Sequence, residues 1–161
     1  MGTYTATPRT WVALETVTAA LMNSDVRDPL IALTAAWTSY TPTLAGFTAG
    51  NGTATGYYRQ IGKTVDFVAI FTFGSSSAAA TTTPTLTLPV TAARTPVPLT
   101  GIFVDASASL VYTACAYISG TTVAAVGVLG TNGARTNAST TSPFTWTTSD
   151  VVCAAGTYEA A

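Results

Sequence analysis

Histidine is absent from this 161-residue chain, and with it goes the commonest metal ligand and general base of enzyme sites. Charge is scarce as well: Asp, Glu, Lys and Arg make up 8% of the residues, against roughly 25% in an ordinary soluble domain. The six basic residues are scattered and the net charge is −1, so there is no electrostatic footprint for nucleic acid. Mean hydropathy is nevertheless +0.40, which raises the question of a membrane. Long apolar runs are missing, however. Gly, Pro or Thr interrupts each one well before the roughly 18 residues a spanning helix requires, and no membrane insertion is expected. Met1-Gly2-Thr3-Tyr4 has neither a basic n-region nor an apolar h-region, which speaks against a secretory leader. Only two cysteines occur, Cys115 and Cys153, in apolar strand-like runs without CxxC spacing. Without an export signal they read as two buried free thiols rather than a bridge.

These gaps narrow the catalytic options. The carboxylates are Glu15, Asp25, Asp28, Asp66, Asp105, Asp150 and Glu159. A glycosidase needs two of them about 5 to 9.5 Å apart across a groove. Asp66 with Asp105 or Asp150 is the only pairing worth testing, and each of the three has an ordinary turn or strand-edge role to set against it. Serine and cysteine nucleophiles lack their usual base. Gly50-Asn51-Gly52 does not sit between a strand and a helix, as a phosphate loop must. No catalytic residue, metal ligand or cofactor is expected, and the residues point away from an enzyme.

What the chain does have is hydroxyl and small side chains, in runs such as Thr81-Thr82-Thr83 and Asn137-Ala138-Ser139-Thr140-Thr141-Ser142. These can keep a surface wet without charge. The chain centres on Gly52 to Phe73, two strand-like runs facing each other across a turn at Ile61-Gly62-Lys63, with Gly62 able to take positive φ. From Thr64 on, side chains alternate between faces. Val65, Phe67, Ala69, Phe71 and Phe73 form a core face. The opposite set is polar at its ends but apolar at Val68 and Ile70, as in a strand covered on both sides, there by a neighbouring subunit. Further strands are expected over Thr85–Leu88, Gly101–Asp105, Leu110–Ser119, Thr122–Leu129, Phe144–Thr147 and Val151–Tyr158, with a tight hairpin at Ser119-Gly120. Seven to nine short strands between Pro and Gly turns predict a mainly β fold, a jelly-roll-like antiparallel β-sandwich with a short N-terminal arm and helical segment.

That arm and helical segment occupy residues 1–40, with the β module over 41–161. Tyr4, Pro8, Arg9 and Trp11 follow no clear period. Glu15–Asn23 has helical spacing with Val17, Ala20 and Leu21 on one face and Thr16 or Thr18 as N-caps, and Asn23-Ser24 is expected to break it. A second helix follows, capped by Ser24, Asp25 or Asp28, with Pro29 tolerated in its first turn. Val26, Leu30, Leu33 and Trp37 form one apolar stripe. Trp11, Val17, Leu21, Val26, Leu30, Leu33 and Trp37 are therefore the candidate docking and oligomerisation residues. Among the strand and loop aromatics, Tyr58 and Trp146 are the candidate ligand contacts, since amphipathic rings stack on sugars or anchor interfaces.

Several strings carry a family likeness. Pro8-Arg9-Thr10-Trp11-Val12-Ala13, Glu15 to Asn23 and Val26-Arg27-Asp28 resemble the opening of short virion structural proteins of actinobacterial tailed phages, a group that includes minor tail proteins. Trp37-Thr38-Ser39-Tyr40-Thr41-Pro42, Tyr58 to Lys63, Leu88-Pro89, Pro143-Phe144-Thr145-Trp146 and Gly156-Thr157-Tyr158-Glu159 resemble a recurrent appendage module. Pro29 departs from the pattern, and the helix runs into the β module with no long shaft, which suits a squat trimer rather than a long fibre. The resemblance implies a non-enzymatic homotrimer on the outside of a virion assembled in the host cytoplasm. Its partners would be itself and the phage major capsid protein or tail proteins. A capsid decoration or head-fibre role ranks first, and a minor tail or tail-tip module binding host glycans is the alternative.

Overall fold

The computed structural model describes residues 10–161, so Tyr4, Pro8 and Arg9 of the arm lie outside the described residues. Ten strands follow a short helical segment. They are β1 Thr38–Tyr40, β2 Leu44–Ala45, β3 Thr53–Ile61, β4 Thr64–Thr72, β5 Thr85–Thr87, β6 Val97–Asp105, β7 Leu110–Gly120, β8 Val123–Leu129, β9 Arg135–Thr136 and β10 Val151–Glu159. All belong to one sheet in the order β1-β3-β4-β10-β6-β7-β8-β5-β2, with β9 paired to β8. Every pairing is antiparallel. The mainly β, antiparallel fold is the expected one, and its two layers are the walls of one curled sheet.

What holds the curl is the run from β1 to β2, strands at opposite ends of the order but separated by only Thr41-Pro42-Thr43 in the chain. Thr87 N–H donates to the Thr43 carbonyl at 3.1 Å, and Thr43 N–H donates to Thr87 Oγ1 at 2.8 Å. Both sheet edges are thereby tied to one strap, and the edge strands are short, three residues and two, which limits the ladder they offer to another chain. Within the curl lies the core. Val65, Phe67, Ala69 and Phe71 of β4, then Phe73, point inward as the alternation requires, and Phe103, Ile118, Val126 and Val152 meet them from the other strands.

The central hairpin closes through Gly62-Lys63, with Gly62 at φ +58, so the left-handed turn sits where glycine supplies it. The β7–β8 hairpin turns two residues later than expected. Its loop is Thr121-Thr122, and the register shifts between Ile118 and Gly120, which makes Ser119 a bulge. Phe144–Thr147 is not a strand; it crosses the core mouth as an irregular loop. β6 begins at Val97, four residues before the expected start at Gly101. Pro98 lies where β10 pairing, which stops at Thr100, no longer reaches.

In the helical segment, Thr18 caps α1, Ala19–Met22, its Oγ1 accepting Leu21 N–H at 3.3 Å. Asn23-Ser24 does not break the helix. Instead Asn23–Arg27 widens into a π-turn that leads into α2, Asp28–Thr34. Pro29 accounts for this, since its ring and missing N–H are incompatible with a bond to the carbonyl four residues back. Ala35 is extended, so Trp37 lies beyond the helix and off its stripe.

Candidate functional site

The helical segment forms a foot with almost no stake in the core. No residue of Ala19–Arg27 is buried. Leu30 is 56% exposed and Leu33 50%, and Trp11, Val17, Val26 and Ile31 are also exposed; Leu21 is half-buried. Among the strands, α2 touches β3. A short helix gains its stability from packing an apolar face, and here that face is turned to solvent.

Where foot meets barrel, the Arg59 guanidinium lies 6.0 Å from the Trp37 ring centre. Arg59 Nη2 donates to Asp66 Oδ2 at 2.9 Å, and Thr157 Oγ1 donates to Asp66 Oδ1 at 2.6 Å. The Thr157 hydroxyl first and Arg59 second hold the Asp66 carboxyl below its ordinary value. Beside this corner is a shallow groove lined by Ser39, Tyr40, Thr41, Ala54, Thr55, Gly56 and Tyr57. Gly56 is required there: a Cβ would stand 2.3 Å from the Tyr40 ring. Tyr57 faces outward, 46% exposed.

The two candidate ligand aromatics are placed differently. Tyr58 points into the curl against Tyr40, ring centres 5.9 Å apart. Trp146 stacks on Phe73 at 4.9 Å, packs edge-on to Phe47 and Phe103, leans on Phe144, and donates its indole N–H to the Ser139 carbonyl at 2.9 Å. Its ring closes one end of the core, leaving little free face for a ligand. Tyr57, its sequence neighbour Tyr58 having been favoured, is the outward ring; strand parity alone could have assigned it, with Val68 opposite on the solvent face.

Nor do the carboxylates assemble into a catalytic pair. Asp66 sits opposite Thr157 and Asp150 directly precedes Val151 at the other end of β10, roughly 20 Å away by strand rise. That is far outside the glycosidase range, so the Asp66 pairings singled out from the sequence are not formed. Asp105 and Asp150 do lie close, flanking the Val104–Val151 pair, but both serve turns. Asp105 Oδ1 accepts from Ser107 Oγ and Ala108 N–H, which lowers its pKa. Asp150 accepts from Ala106 N–H, Thr147 N–H and Thr147 Oγ1. Among the described residues no cluster of three His, Cys, Asp or Glu could hold a metal, and no helix is long and apolar enough to cross a membrane.

The thiols are free and only half-buried, on the outer face of the sheet rather than in the core. Cys153 faces Ile102 and Cys115 faces Thr100, so β6 lies between them. Two strand spacings, about 9.6 Å, exceed the reach of a disulfide. Burial pushes the Cys153 thiol pKa up. No family model, curated protein or solved structure matches this chain.

Proposed function

We propose that this chain is a non-enzymatic structural protein of the outside of a tailed-phage virion, a homotrimeric capsid decoration or head-fibre protein. Its foot docks to the particle and its β module faces out. The observation that carries this is the exposed apolar foot: a helix showing Leu30, Ile31 and Leu33 to water has no reason to persist unless another surface covers it. The family likeness of the N-terminal strings supplies the particle. The hydroxyl-rich, charge-poor body suits a surface module with no chemistry to perform. Particle reconstruction with Leu30→Glu/Leu33→Glu is the test. Wild-type protein should occupy capsid sites, and the variant should be lost from particles while its barrel melts at the same temperature. Full occupancy by the variant would remove the foot from the account, and density at the tail tip would move the protein off the head.

A tail-tip module that binds host glycans is the second reading, favoured by the Tyr57 groove, where a half-exposed ring stands beside Ser39, Thr41 and Thr55 hydroxyls. On this reading glycan-array binding is lost on Tyr57→Ala and survives Trp146→Phe. Binding that ignores Tyr57 would discard the groove.

A further inference from the structure

Four asparagines occur in the sequence, and two of them, Asn51 and Asn132, are followed by glycine. Such a pair is labile, because with no Cβ in the way the glycine nitrogen can approach the side-chain carbonyl carbon of the asparagine before it. The fold treats the two pairs differently. Asn51 is clamped: its Oδ1 accepts from Ser76 N–H and Ser76 Oγ, both at 2.9 Å, and its Nδ2 donates to Ser75 Oγ at 3.1 Å. Gly52 is boxed in as well, since a Cβ there would stand 2.3 Å from the Phe71 ring and 2.7 Å from the Thr72 carbonyl oxygen. The backbone rotation that would carry its nitrogen onto the Asn51 side chain has no room. Asn132 lies in the loop between β8 and β9, where both it and Gly133 are exposed. Gly133, at φ +77, has nothing within 4 Å of its Cβ position. The Asn132 Oδ1 accepts Ala134 N–H at 3.0 Å, and among the described residues its Nδ2 has no hydrogen-bond partner. Two backbone bonds tie the loop, Gly133 N–H to the Gly130 carbonyl at 2.9 Å and Gly130 N–H to the Ala134 carbonyl at 2.8 Å. It closes on a two-residue strand off the main strand path, so the loop can open while the sheet stays paired.

We infer that Asn132-Gly133 is a site of spontaneous deamidation in the folded protein, while the fold shields Asn51-Gly52. The Gly133 nitrogen forms a bond to the Asn132 side-chain carbonyl carbon, and Nδ2 leaves as ammonia, taking up the proton that the Gly133 nitrogen gives up. Water then opens the cyclic imide. Cleavage on the side-chain carbonyl side gives aspartate, and cleavage on the main-chain side gives isoaspartate. Nothing is oxidised or reduced, and water is the only co-reactant. Either product adds a negative charge to a chain whose formal net charge is −1. The isoaspartyl form also inserts a methylene into the main chain of the hairpin that the Leu129–Arg135 pair closes. β9 should loosen, and with it the bond from Arg135 Nη1 to Thr83 Oγ1, now 2.7 Å. The site shares no residue with the foot or the Tyr57 groove and stands whichever of them is used.

Peptide mapping of the full chain, held in mildly alkaline buffer and sampled over time, is the test. Asn132 should convert to a mixture of aspartate and isoaspartate, the second of them labelled by an isoaspartyl methyltransferase, about tenfold or more faster than Asn51. In denaturant, where the clamp on Asn51 is gone, the two sites should convert at similar rates. Ser75→Ala/Ser76→Ala should raise the folded-state rate at Asn51 toward that at Asn132. Equal rates in the folded chain, faster conversion at Asn51 or an unreacted Asn132 would each overturn the inference. A gap that persists in denaturant would overturn it too, since local sequence rather than the fold would then set the rates.

Discussion

Asp150 joins three pieces of backbone that share no strand. Its carboxylate takes the N–H groups of Ala106 and Thr147, while Phe73 N–H donates to its carbonyl at 2.8 Å. The loop carrying Phe144 and Trp146 is therefore hung from a fully buried acid. Asp150→Ala strands both donors, and at about 1–3 kcal/mol per orphaned group it should lower stability by ~3 kcal/mol in a denaturant titration, with Asp150→Asn intermediate. A sequence reader sees only a Ser-Asp turn, because the partners arrive from other strands. Tyr158 makes a second residue-scale prediction. Its hydroxyl donates to the Val90 carbonyl at 2.6 Å, and burial pushes its pKa up to about 12 from 10.0. The folded state thus favours neutral tyrosine. That stability is fully present below pH 10 and is lost as pH rises toward 12. Thermal melts should fall steeply over that window, and Tyr158→Phe should flatten the fall while lowering the plateau.

At the scale of elements, the β3–β4 hairpin was legible nearly residue for residue, since alternation and one glycine specify both faces and the turn. The helices were legible as helices, yet Asn23-Ser24 proved a widening rather than a break. Pro29 accounts for that, and its effect depends on a carbonyl four residues earlier. Phe144–Thr147 looked like a strand because aromatics favour strands; burial of Phe144 and Trp146 explains the same composition without any ladder. The foot belongs at this scale too. Because both side chains are exposed, charging Leu30 and Leu33 should change the stability of the β module by less than about 0.5 kcal/mol. Scanning calorimetry beside the attachment assay separates loss of docking from loss of fold.

Considered whole, the described residues form a curled sheet with apolar side chains outside its core in two places, the exposed foot and the half-buried outer face of its central strands. Both were foreshadowed. The stripe at Val26, Leu30 and Leu33 and the apolar middle of β4 at Val68 and Ile70 each looked like surfaces awaiting a cover. What could not be foreseen was that Ile70, Cys153 and Ile102 line up in a row, since that alignment depends on β10 inserting between β4 and β6.

Composition and period were enough to decide that this is a mainly β chain, which face of β4 is core, and that the usual histidine base is missing. These follow from side-chain chemistry and the two-residue repeat of a strand, both local. Folding alone settled which strands are neighbours, that the β1–β2 strap ties the two ends of the sheet together, that Trp146 packs on the core, and that Asp66 stands far from Asp150. Those are facts of long-range pairing, and the alternation of a strand carries no label for the strand it will meet.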